Sequence, residues 1–390
     1  MKKKQENLTE EELTQQQLEQ QEKQRQLEKI AEENCILRVV AGSNAYGTNL
    51  PGSDWDERGI FVDEMSRIIL PFNKIEQVTL TRDDIVLYEL SKYMPLLLAQ
   101  NPNVIELIWT EDSDVLFKND LGQLLLDNRK EFLSKQVKDS YVGYAQSQLK
   151  RIKGHNKWIN SPQPEQEPQR KDFTSVVYNN TDIKEFNKKV PFEGFLAFDL
   201  GDNHYSLISI EKLKSNRKPW IDNKGNINTV LKSDVALVNP DKLRPDIIVK
   251  LNKKMYEDHH TNWKEYWNWK EHRNEKRSVL EEKFGYDVKH AMHLIRLLRS
   301  GLDILENGYV PVKRPDKDYL LDIRSGKYTY EEIVAESERL TQKVEEISKK
   351  SSLPDEANQD LAKEIMLSIY TQQWNMSPKD IKEIKPSLKM

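Results

Sequence analysis

Across 390 residues there is a single cysteine, Cys35. That excludes an internal disulfide and any cysteine-rich zinc site, and it predicts a reducing, cytoplasmic setting. Long hydrophobic runs are missing as well. No apolar stretch approaches the roughly 18 residues that a membrane span needs, so no membrane partner is expected. The opening MKKKQENLTEEEL places no apolar segment behind its lysines, and no secretory signal is read there. An excess of positive charge is also lacking. Sixty basic residues against 64 acidic ones leave a net charge of −4, whereas a dedicated duplex binder carries an overall basic domain. Local basic patches are compatible with that sum. Finally, no Gly-Lys-Ser/Thr follows a glycine loop and there is no G-x-G-x-x-G, so Walker-type and dinucleotide-type phosphate loops are excluded.

The residues that are present suit a well-solvated chain of two or three domains, with 37% hydrophobic and 32% charged residues. Residues 1 to about 33 are rich in Gln, Glu and Lys, with leucines too irregular for a heptad seam. They predict a solvated helix or frayed tail whose last turn, Leu27 to Ala31, packs on the adjoining domain. Ile36–Ala41 reads as a buried strand ended by Gly42-Ser43, and Ser43 is placed to cap a short helix. Pro51-Gly52-Ser53 is a turn, Asp54–Val62 a second strand and Val78–Leu87 a third. A helix is expected from Glu89 to Gln100, and residues 115–160 are expected to be helical. SPQPEQEPQR at 161–170 marks a linker or surface loop. Two hairpins are expected beyond it, one turning at Gly201-Asp202-Asn203 and one at Asp222–Asn226. Helices are then predicted over 247–310, 330–349 and 356–370, without internal repeats.

The informative stretch is Gly42-Ser43 with, ten residues on, Asp54-Trp55-Asp56. Strand side chains alternate, so the two aspartates would share a face. Their mutual repulsion calls for a cation, and a hard dication such as Mg²⁺ commonly bridges a carboxylate pair to phosphates. A Gly-Ser turn opening a helix offers backbone N–H groups and a hydroxyl to an anion. Either fragment alone is ordinary: Gly-Ser is usually a loop, and Asp-x-Asp a solvated turn. Their order between two apolar strands points to a metal-chelated triphosphate.

G-S-N-A-Y-G, then D-W-D, resembles the signature of the DNA polymerase beta superfamily of nucleotidyltransferases. The Arg-Gly-Ile-Phe-Val at 58–62 is similar to a family of predicted bacterial and phage members. Asn101–Glu106, Lys289–Leu298 and Leu321–Gly326 add to the resemblance, which spans about residues 36–335. It implies an α+β fold: a small mixed-sheet core over 34–112 behind a leader of 1–33. A helical segment with a β-hairpin insert would occupy 113–246. A mainly helical C-terminal half would complete the chain, as a domain over 247–350 and a helix and tail over 351–390. Asp54 and Asp56 would hold Mg²⁺ or Mn²⁺, with a third carboxylate on a neighbouring strand. Asp84 is chosen for that role, with Asp83 and Glu89 as fallbacks. Gly42 and Ser43 would hold the phosphates of an NTP, ATP by preference.

Lys289, His293 and Arg296 fall at i, i+4 and i+7 on one helical face and are assigned to nucleotide binding. A plain solvated face would show the same spacing. Zinc at His290 and His293 is not expected, for want of His or Cys companions. Between 255 and 277 five aromatics alternate with cations, a pattern that suits base stacking but equally a packed amphipathic helix, which is the preferred reading. The acceptor hydroxyl is expected on an RNA end. The alternatives are a protein adenylyltransferase and a non-catalytic nucleotide- or RNA-binding scaffold.

Overall fold

The computed structural model describes residues 10–70, 74–81, 84–179, 195–210, 229, 244–273 and 275–376. They form two compact units, one of the described residues up to 156 and from 280 on, the other of those between 157 and 279. The fold is α+β, with a mixed five-stranded sheet and a helical C-terminal half.

In the first unit, helix α1 (Glu10–Glu33) leads into β1 (Cys35–Ala41) and the single-turn helix α2 (Gly42–Tyr46). Then come β2 (Asp56–Phe61), β3 (Gln77–Thr79), β4 (Asp84–Glu89), helix α3 (Leu90–Leu98), β5 (Val115–Lys118) and helix α4 (Val137–Asn160). The strand order is β3-β4-β2-β1-β5. Strands β2 and β4 run parallel, and the other pairs are antiparallel.

Both faces of the sheet are covered. Phe61, Val78, Ile85 and Leu87 cluster on one side with Leu27, Ile30 and Ala31 of α1, so the charged leader ends as a packed helix. Val39 and Ile60 join a larger core with Ile295 and Leu298, which come from helix α7 (Val288–Asn307) of the C-terminal half. Strand β2 is polar at its start and apolar at its end, and its burial matches, with Asp56, Glu57 and Arg58 half-buried and Gly59, Ile60 and Phe61 buried. The polar end is where the chemistry lies.

In the second unit the expected hairpin is β7 (Phe195–Gly201) and β8 (His204–Ser209), turning through Asp202 and Asn203, both at positive φ. It is half of a four-stranded antiparallel sheet with β6 (Thr174–Asn179) and β9 (Ile247–Leu251). Helix α5 (Lys253–Glu271) carries the aromatic stripe. There Tyr266 is buried, Trp269 packs 5.3 Å from Trp158, and Trp263 and Trp267 both donate to the carbonyl of Pro164. The stripe is a packing surface that seats the proline-rich segment. The hairpin expected at 222–226 lies outside the described residues. The C-terminal half continues with α6 (Glu275–Phe284), α7, α8 (Lys317–Arg324), α9 (Tyr330–Ser348) and α10 (Gln359–Gln373).

Four expectations are corrected. The predicted strand 78–87 is two antiparallel strands, with Val78 opposite Leu87. Its apolar phase slips at the reversal, from even positions (Val78, Leu80) to odd ones (Ile85, Leu87), so that all four side chains cluster under α1. The second strand opens at Asp56, leaving Asp54 in the preceding loop. Val115–Lys118 is an edge strand paired with β1 rather than helix. The helix expected from 247 begins at Lys253, because Ile247, Val249 and Leu251 alternate into the second sheet.

Candidate functional site

Strands β2 and β4 lie side by side in parallel register, Asp56 beside Asp84. Registered residues on neighbouring strands share a face, so these two carboxylates start one row at the end of the sheet. Asp54 stands two residues ahead of the strand, where the side-chain amide of Asn44 donates to its backbone carbonyl at 2.9 Å. Asp56 senses the other two acids. Burial raises the Asp56 carboxyl above the usual aspartate range, Asp84 and Asp54 push it further, and Arg58 and Lys289 oppose the rise.

Gly42 touches this row directly. Its φ is +62°, and a Cβ built on it would overlap Oδ2 of Asp56. The glycine of the Gly-Ser turn is thus demanded by the second aspartate of D-W-D as well as by its own left-handed backbone. Ser43 does not cap the helix: the N-cap position is Ala41 and no side chain caps the turn. Ser43 is the second residue of the turn and not its N-cap, so its half-buried hydroxyl is not spent on capping.

Arg58 is a site residue that the motif alone does not reveal. It lies two residues after Asp56 along β2, and its Nη1 donates to the carbonyls of Glu57 at 2.8 Å and Asp84 at 3.2 Å. The period of a strand was the available signal. Arg58 bridges the backbones of the two acid-bearing strands and supplies positive charge beside Asp56.

The three cations of α7 occupy different environments. Lys289 is the one whose charge reaches Asp56. His293 is pushed down to about 3 by burial and by Arg296, Lys289, His290 and Arg324, so its imidazole is neutral near pH 7. Arg296 is buried. Its Nη1 donates to Glu106 Oε1 at 2.7 Å, and its guanidinium lies 3.8 Å from the centre of the Tyr46 ring. The Tyr46 hydroxyl donates to the other oxygen of Glu106 at 2.7 Å. This corrects the assignment of Arg296 to nucleotide contact: its guanidinium is engaged behind α2, where it holds the signature turn from beneath. Two more arginines act on the same turn. The Arg314 N–H donates to the Tyr46 carbonyl and Arg324 Nη1 to that of Thr48.

Of the fallback acids, Asp83 lies outside the described residues. Glu89 is fully buried and accepts hydrogen bonds from the Ser91 N–H and the Tyr370 hydroxyl. It caps α3 and is turned away from the row.

Among the described residues no helix is long and apolar enough to cross a membrane. No curated protein and no solved structure matches the chain. Residues 11–163 do match one family model, so this segment, α1 included, is similar to RlaP, the RNA repair pathway DNA polymerase beta family, in agreement with the polymerase beta superfamily signature at 42–56.

Proposed function

We propose that the protein is a metal-dependent nucleotidyltransferase that moves an NMP from an NTP, ATP by preference, to an acceptor hydroxyl on an RNA end, releasing pyrophosphate. The observation that carries this reading is the row of Asp56 and Asp84 in register, with Asp54 just ahead and Gly42 packed against the Asp56 carboxylate. A half-buried carboxylate, Asp56, raised by burial and by the neighbouring charges of Asp84 and Asp54 suits a dication better than empty solvent. Asp54, Asp56 and Asp84 would hold Mg²⁺ or Mn²⁺, which when bound neutralises the triphosphate and the leaving pyrophosphate. Gly42 and Ser43 offer the phosphates a backbone N–H and a hydroxyl, and Lys289 supplies a cation from the facing helix. His293, neutral, can add a hydrogen bond but no charge. Asp84, more exposed than Asp56, favours the attacking hydroxyl as its alkoxide. An RNA acceptor is supported by the RNA-repair description of the matched family.

The test is incubation of the full chain with each labelled NTP, Mg²⁺, and either total RNA or cell protein. Label on RNA, lost in Asp56→Asn, is the expected result. Label on protein alone would establish the adenylyltransferase reading. No transfer with retained nucleotide binding would establish the scaffold.

A further inference from the structure

Next to Lys289, but apart from the carboxylate row, a second group of ligating side chains meets at the start of α7. His155 comes from α4, Glu281 from α6, and Asp287 is the N-cap of α7. One ligand atom of each lies within 4.8 Å of the other two. His155 Nδ1 stands 3.5 Å from Glu281 Oε1 and 3.8 Å from Asp287 Oδ2. Both separations exceed the roughly 2.7–2.9 Å of a charge-assisted hydrogen bond. They are close to the spacing that coordination requires, since metal–ligand bonds of about 2.0–2.2 Å in a tetrahedron set ligand atoms about 3.3–3.6 Å apart. The three side chains are 17%, 6% and 3% exposed, so both carboxylates are turned inward.

We propose that His155, Glu281 and Asp287 form a binding site for one transition-metal dication of the zinc class, which ties α4 and α6 to the first turn of α7. An imidazole nitrogen with two carboxylate oxygens selects Zn²⁺ over Mg²⁺ or Ca²⁺, which prefer all-oxygen sets. Asp287 is already oriented for the task. Its Oδ1 accepts from the His290 backbone N–H at 2.9 Å and its Oδ2 from His290 Nδ1 at 2.5 Å. Arg151 Nη1 lies 3.4 Å from the other ring nitrogen of His290. With an arginine donor facing Nε2, the His290 proton sits on Nδ1 and holds the carboxylate, the outer-shell arrangement that commonly fixes a metal ligand. His290 is therefore a positioning residue and not a fourth ligand; that position is left to water. Because Lys289 lies two residues beyond Asp287, in the first turn of α7, the ion would stiffen the turn that presents Lys289 to the candidate nucleotide site.

The experiment strips the full chain with chelator, desalts it, adds Zn²⁺ in the presence of millimolar Mg²⁺, desalts again and measures metal by elemental analysis. About one zinc per chain is expected, together with a raised melting temperature. Asp54→Asn should retain that zinc, which separates this site from the nucleotide reading. His155→Gln and Glu281→Gln should each lower bound zinc at least tenfold at the same free zinc, with unchanged circular dichroism. If His155→Gln fails to fold, Glu281→Gln decides. No zinc on the wild type, equal zinc on wild type and Glu281→Gln, or zinc lost with Asp54→Asn would overturn the proposal.

Discussion

Replacing Gly42 by alanine tests whether the Gly-Ser turn and the aspartate row are one device. Two separate costs are expected. At φ +62° an L-residue pays about 1–2 kcal/mol for the left-handed backbone. The new methyl also overlaps Asp56 Oδ2 and comes within 3.0 Å of Asp56 Cγ, so the carboxylate must leave its rotamer at about 0.5–1.5 kcal/mol. The sum, about 1.5–3.5 kcal/mol, is measurable by urea denaturation. Gly52 provides the control, since its φ is +80° but a Cβ there meets nothing within 4 Å. Gly52→Ala should therefore show the backbone cost alone. The same push moves a candidate metal ligand, and misplacement by about 1 Å can cost about 100-fold in rate. Gly42→Ala should thus lose transfer activity far out of proportion to its stability, while Gly52→Ala keeps it. In an Asp56→Ala background the extra cost of Gly42→Ala should shrink toward that of Gly52→Ala, because only the 3.2 Å approach to the Cβ of residue 56 remains. Equal destabilisation by the two alanines in the wild type, with transfer intact in both, would refute the reasoning.

Asp56→Asn should abolish transfer yet raise the melting temperature near pH 7. The folded Asp56 carboxyl titrates above its unfolded value, so its ionised form opposes folding at neutral pH. That gain should fade as pH falls through the raised value toward the ordinary aspartate range; an unchanged or lower melting temperature at pH 7 would contradict it. Arg296→Ala breaks a buried ion pair and should cost about 3–5 kcal/mol in denaturation, while Tyr46→Phe, which strips one donor from Glu106, should cost about 1–3 kcal/mol. Lys289→Ala should leave stability nearly unchanged and weaken nucleotide binding measured without acceptor. Normal binding with lost transfer would instead move Lys289 to the acceptor. For His293, an unfolded ring takes up a proton near 6.5 that the folded ring refuses until about 3, so stability should fall as pH drops between those values. His293→Asn should flatten that slope in melting temperature against pH, and parallel curves would exclude it.

How far the sequence was legible depends on which distances chemistry sets locally. β1, α2 and the acid at the head of β2 are adjacent in sequence, and strand alternation placed them correctly up to the loop that holds Asp54. Asp84 was within reach because its strand begins with the acid itself. The reversal between Thr79 and Asp84 shows in the sequence only as a slip of the apolar phase, from Val78 and Leu80 to Ile85 and Leu87, because both strands bury the same face under α1. Nor could period 3.6 tell Lys289 from Arg296. Helical spacing says that they share a face of α7, but not that Glu106 and Tyr46 await one while Asp56 senses the other. The segments of the resemblance that lie far from the signature also have a physical basis. Asn101–Glu106 ends in the carboxylate that grips Tyr46 and Arg296, and Leu321–Gly326 contains the arginine bonded to Thr48. Neither segment reaches the carboxylate row through any of these contacts. Both fix the short turn that carries Gly42 and Ser43, whose five residues cannot hold a helix by themselves. A two-residue anion turn becomes a defined site only when a buried network holds it from behind, and that network is spread over sequence separations of 60 and 190 residues.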